Sequence, residues 1–453
     1  MSESRRYNLI LFGATGFTGQ LVATHLAERL KGSDVRWALA GRDVKRLEAL
    51  RSTLSRTLGA PVEADLVVAD SASPEGVSAL AKAAQVVITT VGPYQEYGEG
   101  LLRACAEAGT DYLDLCGEPA WMAEMISRYE ERARETGARI LFSCGFDSIP
   151  FDLGVLFTQH EASMRLGAPV ARIGGRLRGG KGAVSGGTVA SLVRSIERAR
   201  EDPAIRRLMG NPFALTPGFK GVRQPGGSRP RRDPFTGGWL TPFIMSGINT
   251  KNVHRTQFLL GHPSGKDFEY DEMHLTGWGI GGWLQAQLIH RGLRLLIVLL
   301  ALRPTRPLLL GTLLPTPGGG PSPEQQRTGY FDLMFVGVTA GGQTIQTSVG
   351  SREDPGYLST SRMLAETALL LVESRRGVST PTPACPGGIW TPAAALGLPL
   401  IERLRAHAGL RFDVESLDAA PRSISGAGGT FGATIPSGPA IGPDTAIAPT
   451  APR

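Results

Sequence analysis

The stretch YNLILFGATGFTGQLVATHLAERL, residues 7–30, decides how the rest of the chain is read. Residues 7–12 are a short, mostly apolar run of the kind that forms a strand buried on both faces. Three glycines follow, Gly13, Gly16 and Gly19, and then Leu21, Val22, Leu26 and Leu30 recur at a helical period. Strand, glycine turn and helix, in that order, are the setting of a phosphate cradle for a dinucleotide. Gly13 suits the tight turn. Gly16 lets a pyrophosphate approach backbone N–H groups at the helix start, and Gly19 lets helix and strand pack closely. The spacing is G-x-x-G-x-x-G, so the flanking elements carry the assignment more than the pattern does. Thr15, Phe17 and Thr18 lie between the glycines and complete the expected cofactor contacts.

The next strand narrows the guest. VRWALAGR, from residue 35, ends in Gly41-Arg42, with Lys45 and Arg46 one turn on. An NAD site places a carboxylate at that strand end, to hold the ribose 2′-OH. Asp43 comes late for that role and suits a helix cap instead. Arg42 offers a fork of donors to a 2′-phosphate, so the expected cofactor is NADPH. AQVVITTVGPY then reads as a strand whose end, Thr90, Gly92 and Pro93, is expected to wall the cofactor. Tyr94 follows as a catalytic candidate.

Strands and helices alternate to about residue 154, which predicts a Rossmann-type doubly wound parallel sheet over residues 1–154. Beyond it the rhythm changes. Long turn-rich connections and FDLMFVGVTAGGQTIQTSVG, an antiparallel pattern, predict an inserted α+β domain over 155–350 for substrate or dimerisation. Helical patterns in 351–418 are expected to return to the first domain. Residues 419–453 are nearly uncharged and rich in Gly, Pro, Ala and Thr, which reads as a disordered tail.

The formal charge is +7, yet the Lys and Arg are scattered, and neither zinc-finger spacing nor a basic helical stripe is present, so no nucleic-acid partner is expected. Cys105, Cys116, Cys144 and Cys385 form no C-x-x-C pair and read as free thiols of a reducing compartment. No metal site is expected. MSESRRYNLILFG lacks the apolar core of a secretory signal, so a cytoplasmic location is expected. LRLLIVLLALRPTRPLLLGTLLP, 293–315, has an unbroken apolar run of about eight residues, short of the roughly 20 that span a bilayer. It reads as a core or homodimer helix, an acyl-chain wall, or a peripheral membrane contact with snorkelling arginines.

Reduction by hydride needs a group that holds developing negative charge, and a proton donor. The ends of the later strands offer Asp114, Cys116, Glu118, Asp147 and Ser148, with Asp147 equally suited to cap the following helix. Lys181, before the helix start Gly186-Gly187-Thr188, is a candidate acid or anion clamp. No two histidines share metal-ligand spacing, and His25 reads as an ordinary, partly exposed helix residue. A G-x-S-x-G elbow is absent at the strand ends, which disfavours hydrolase chemistry.

GATGFTG, AGR, VGPY, YLDLCGE, GFDSIP, SGGTVAS, DPGYLSTSRMLAETALLL and GGIWTPAAALG together resemble the saccharopine-dehydrogenase-like oxidoreductases, and among them the mycobacterial trans-acting enoyl reductases. The resemblance spans about residues 5–415. It implies an NADPH-dependent reduction of an α,β-unsaturated acyl thioester in lipid or polyketide synthesis, on a substrate carried by a partner synthase. It also implies a Rossmann domain with an α/β domain inserted before a C-terminal return. Two alternatives stand beside it: a dehydrogenase acting on a carbonyl or imine of an amino-acid-like substrate, and a non-catalytic, membrane-associated dinucleotide-binding scaffold.

Overall fold

In the computed structural model, residues 5–182, 185–306, 320–378 and 385–418 are described. The apolar run becomes β1 (Tyr7–Phe12), buried except at Asn8. The first domain continues through α1 (Phe17–Arg29), β2 (Trp37–Gly41), α2 (Val44–Leu58), β3 (Ala64–Val68), α3 (Pro74–Ala83) and β4 (Ala84–Thr89). Then come α4 (Tyr94–Tyr97), α5 (Glu99–Ala108), β5 (Asp111–Leu113), α6 (Pro119–Thr136), β6 (Arg139–Leu141) and α7 (Ile149–Leu166). The second domain opens with β7 (Val170–Lys181), α8 (Gly186–Glu201), α9 (Pro203–Gly210), β8 (Arg231–Arg232), β9 (Trp239–Pro242), α10 (Ser246–Leu259), β10 (Glu269–Gly277) and α11 (Gly279–Ala301). The chain ends its described course with α12 (Pro323–Arg327), β11 (Tyr330–Thr339), β12 (Thr344–Ser351), α13 (Thr360–Arg375), β13 (Gly388–Trp390), α14 (Pro392–His407) and β14 (Arg411–Asp418).

The first sheet runs β13-β6-β5-β4-β1-β2-β3, and all its pairs are parallel. Strand order reverses at β1, between the β2 side and the β4 side, which opens a crevice beyond the carboxyl ends of β1 and β4. The second sheet is mixed, in the order β14-β12-β11-β7-β10-β9-β8. This is the expected parallel Rossmann-like sheet followed by an α+β domain.

The C-terminal return divides. β13 extends the first sheet beside β6. On α13, Glu366 accepts from His25 Nε2 and Arg29 Nε of α1, both at 2.7 Å. His25 is therefore buried, contrary to the expectation of partial exposure, because a carboxylate far along the chain meets it. β14, however, pairs antiparallel with β12 and joins the second sheet instead of returning to the first. The expected boundary at 154 falls inside α7, a continuous helix from Ile149 to Leu166. The tail 419–453 and the stretch 307–315 lie outside the described residues.

Candidate active site

The glycine turn folds as its residue types require. Gly13 has φ +84°, which disfavours a side chain. Its carbonyl accepts from Gly16 N at 3.0 Å and from Thr90 Oγ1 at 3.1 Å. A Cβ on Gly19 would lie 2.1 Å from that same carbonyl oxygen, so only glycine lets α1 start this close to β1. Gly16 is the N-cap of α1, and no side chain caps it. The N–H groups of Phe17, Thr18 and Gly19 are thus left for an anion at the positive end of the helix. Phe17 is half-buried and packs edge-on against Tyr357 at 4.8 Å between ring centroids.

The end of β2 separates two roles. The Asp43 carboxylate accepts from Lys45 N at 2.9 Å and Arg46 N at 3.2 Å, and so caps α2. It is committed to the helix and does not serve a ribose. Arg42 is exposed, and among the described residues its guanidinium has neither hydrogen bond nor ion pair. Arg46 Nη2 donates to Thr15 O at 3.1 Å, which brings a second guanidinium to the rim of the cradle. A glycine cradle, a free arginine fork and no available carboxylate fit a phosphorylated dinucleotide.

Across the crevice, Thr90, Gly92 and Pro93 follow β4, and the Gly92–Pro93 peptide is cis. Tyr94 lies in the core, 6% exposed. Its hydroxyl donates to Thr89 O at 3.2 Å and accepts from Leu115 N at 3.1 Å. Burial holds its pKa well above the ordinary tyrosine value. The hydroxyl braces two loops, with its proton committed to Thr89 O. Glu118 is buried and gathers three donors: Tyr94 N at 3.1 Å, Gln95 N at 2.9 Å and Ser191 Oγ at 2.6 Å. It clamps the β4 loop to α8 of the second domain. Asp114 accepts from Cys116 N, Ser143 N and the Tyr112 hydroxyl. Burial pushes its carboxyl up to about 7 against those donors.

Asp147 lies past β6, at the same carboxyl edge. Ser148, not Asp147, takes the N-cap position of α7, and the Asp147 carboxylate has no partner among the described residues. Burial alone pushes its pKa up to about 6. The loop carrying it is held on two sides. Phe146 N donates to Thr360 Oγ1 at 3.0 Å. Ser148 Oγ accepts from Asn252 Nδ2 at 2.7 Å and donates to Asn249 Oδ1 at 3.3 Å. Lys181 is exposed at the end of β7. The next residue, Gly182, packs so tightly that a Cβ would stand 2.5 Å from Pro355 Cδ. The segment from Pro355 to Tyr357 thus joins the end of β7 to Phe17 and the cradle.

Sequence reasoning missed the chain of buried polar groups beneath Ser148. Asn249 Nδ2 donates to Glu272 Oε1 at 2.7 Å, and the Tyr270 hydroxyl donates to Glu272 Oε2 at 3.0 Å. No apolar periodicity marks these residues, because α10 buries polar side chains. Burial pushes the Glu272 carboxyl up to about 8, against the hydrogen bonds from Asn249 and Tyr270. In the unfolded chain the same group titrates near 4.3. Between those values the folded state keeps a proton that the unfolded state releases, so stability from this group is full below about 4.3 and falls as pH rises toward 8. Glu272→Gln removes that slope. In urea titrations from about pH 5 to about pH 7.5, the variant should gain on the wild type by roughly 1.4 kcal/mol per unit at most. Parallel stability profiles would show that Glu272 ionises normally.

Cradle, arginine and parallel sheet define an NADP(H)-binding oxidoreductase of the Rossmann type. Residues 9–141 match the family model described as the saccharopine dehydrogenase NADP binding domain. Trans-acting enoyl reductases of Mycobacterium bovis and Mycobacterium ulcerans are 36% and 35% identical to this chain over 416 and 418 residues. Those alignments cover 88% and 89% of this chain and 96% of each relative. A Mycobacterium tuberculosis relative under the same family name is 37% identical over 424 residues, 89% of this chain and 96% of its own. The chain belongs to the trans-acting enoyl reductase family, as its motifs led one to expect. The saccharopine dehydrogenase of Saccharomyces cerevisiae overlays 90% of this chain and 100% of its own at 12% identity and a TM-score of 0.49, a likeness that transfers no residue.

Proposed function

We propose that this protein reduces the carbon–carbon double bond of an α,β-unsaturated acyl thioester carried by a partner synthase, with NADPH as reductant. The observation behind this reading is the reach of the family likeness. It extends over 96% of relatives named for enoyl reduction, well past the cofactor domain. Bound in the crevice, NADPH supplies a hydride, which the β carbon of the enoyl group receives. The N–H groups of Phe17, Thr18 and Gly19 hold the pyrophosphate, with Gly13, Thr15 and Gly16 shaping the turn. Arg42, with Arg46 beside it, holds the 2′-phosphate. Thr90, Gly92 and Pro93 form the wall opposite. Asp147, with its raised pKa and free carboxyl, is the residue we assign to protonate the α carbon. Lys181 serves as an anion clamp at the mouth. The protein works in the cytoplasm, where its four free cysteines stay reduced. A homodimer and a peripheral membrane contact are the two uses that an exposed α11 offers.

Purified protein, partner synthase, NADPH and a panel of enoyl thioesters test the reading. Loss of the reduced-nicotinamide absorbance with a saturated acyl product is expected; neither on any thioester rejects it. Arg42→Ala should weaken NADPH by about 10- to 100-fold, the worth of a charged hydrogen-bond pair, and leave NADH nearly unchanged. Equal losses for both cofactors would remove the 2′-phosphate assignment.

A further inference from the structure

α11 has 23 residues, of which only Gly282, Ala286 and Leu300 are buried. It is long and apolar enough to cross a membrane by length and composition. Its packed side is fixed to the second domain. Thr276 Oγ1 donates to Gly282 O at 2.9 Å and Thr241 Oγ1 to Ala286 O at 3.0 Å, and Leu300 packs with Val193 of α8. The opposite side carries Ile280, Leu284, Leu288, Leu295, Val298 and the following Leu302, all exposed. Steps of three, four and seven residues place these side chains in one stripe along the helix. Trp278 and Trp283 stand exposed at its start, 59% and 40% accessible.

Charge decides what covers the stripe. Residues 273–323 contain no Asp or Glu, while Arg291 and Arg294 are exposed on the helix itself. Arg291 falls within the stripe, three residues after Leu288 and four before Leu295, at the midpoint between Ile280 and Leu302. A second copy overlapping the whole stripe by two-fold symmetry, in either direction, sets Arg291 against the same arginine, and residues 273–323 supply no carboxylate to separate them. An anionic bilayer has no such conflict. Leucines enter the acyl boundary, arginines snorkel to the headgroups, and tryptophans sit at the interface.

We infer that α11 is an interfacial helix that seats this protein on the surface of an anionic lipid bilayer. α8 links that seat to the crevice. Ser191 near its start binds Glu118 at 2.6 Å, and Val193 onward lies beneath α11. The seat and the β4 loop at the crevice are therefore tied through one helix. The relevance of that tie to an acyl substrate rests on the proposed enoyl reduction; the seating itself does not.

The full chain is mixed with vesicles of phosphatidylcholine, with or without about 30% phosphatidylglycerol, and floated through a density gradient. It should float with the anionic vesicles only. Leu288→Glu with Leu295→Glu, and separately Arg291→Glu with Arg294→Glu, should each lower the bound fraction by at least about tenfold. Both variants should keep NADPH affinity, which shows that they fold. A wild type that ignores anionic vesicles overturns the inference. So does flotation that both double variants preserve, or a wild-type dimer that the leucine variant dissociates while no vesicle binds. Flotation needs neither NADPH nor thioester, so its failure and the failure of enoyl reduction are told apart.

Discussion

Gly19→Ala should lower NADPH affinity by at least about 100-fold, a loss comparable to that from a misplacement of about 1 Å. The added Cβ would stand 2.1 Å from Gly13 O, 2.9 Å from Gly13 C and 3.0 Å from Ala14 C. Close carbon–oxygen contacts normally stop at about 3.3 Å. Every clashing atom is backbone, so no rotamer change relieves the overlap, and the start of α1 must move away from β1. That start carries the N–H groups assigned to the pyrophosphate, and its shift separates them from the turn at Gly13. Two other glycines grade the effect. A Cβ on Gly16 meets only Gly13 O, at 3.3 Å, and should cost no more than about tenfold. Gly210 faces open space, and Gly210→Ala should bind NADPH as the wild type does. Titration of the nicotinamide fluorescence measures all three. A Gly19→Ala protein with wild-type affinity would place the cofactor elsewhere.

The cradle was legible because its causes are local. β1, the turn and the start of α1 lie within two dozen residues, and Asp43 announced a cap that it indeed forms. What escaped the sequence depends on distant partners. His25 looked like a surface residue because Glu366, which buries it, is 341 positions away. β14 alternates weakly, and the open edge of β12 gave it a place in the second sheet. The polar chain from Ser148 through Asn249 to Glu272 follows neither a helical nor a strand period, since its burial is balanced by hydrogen bonds instead of apolar contact. Tyr94 follows a strand end, and that proximity gave its hydroxyl two backbone partners. The apolar segment was read as 293–315, with its unbroken run between Arg294 and Arg303, whereas the helix begins at Gly279 and continues through Arg291 and Arg294 to Ala301. A stripe read at the helical period would have recovered Ile280, Leu284 and Leu288.

Asp111→Ala should destabilise the fold by about 3–5 kcal/mol, the cost of breaking a buried ion pair from one side. Asp111 opens β5 with no exposure. Its carboxylate accepts from Arg139 N at 3.0 Å, Arg139 Nε at 2.9 Å and Arg375 Nε at 2.9 Å. The side chain therefore joins β5 to β6 and both to the end of α13. Alanine leaves Arg139, 5% exposed, with its charge uncompensated in the core. Asp111→Asn keeps the shape and part of the hydrogen bonding, and should lose less. Urea unfolding measures both, and a loss under about 1 kcal/mol would put this cluster with surface pairs. The damage should reach both sides of the crevice. α13 begins at Thr360, which holds Phe146 beside Asp147, and its Glu366 holds His25 and Arg29 of α1, the helix that starts at the cradle. Enoyl thioester turnover and NADPH affinity should therefore fall together in Asp111→Ala, and less in Asp111→Asn. A loss confined to turnover would mean that the two sides of the crevice loosen independently.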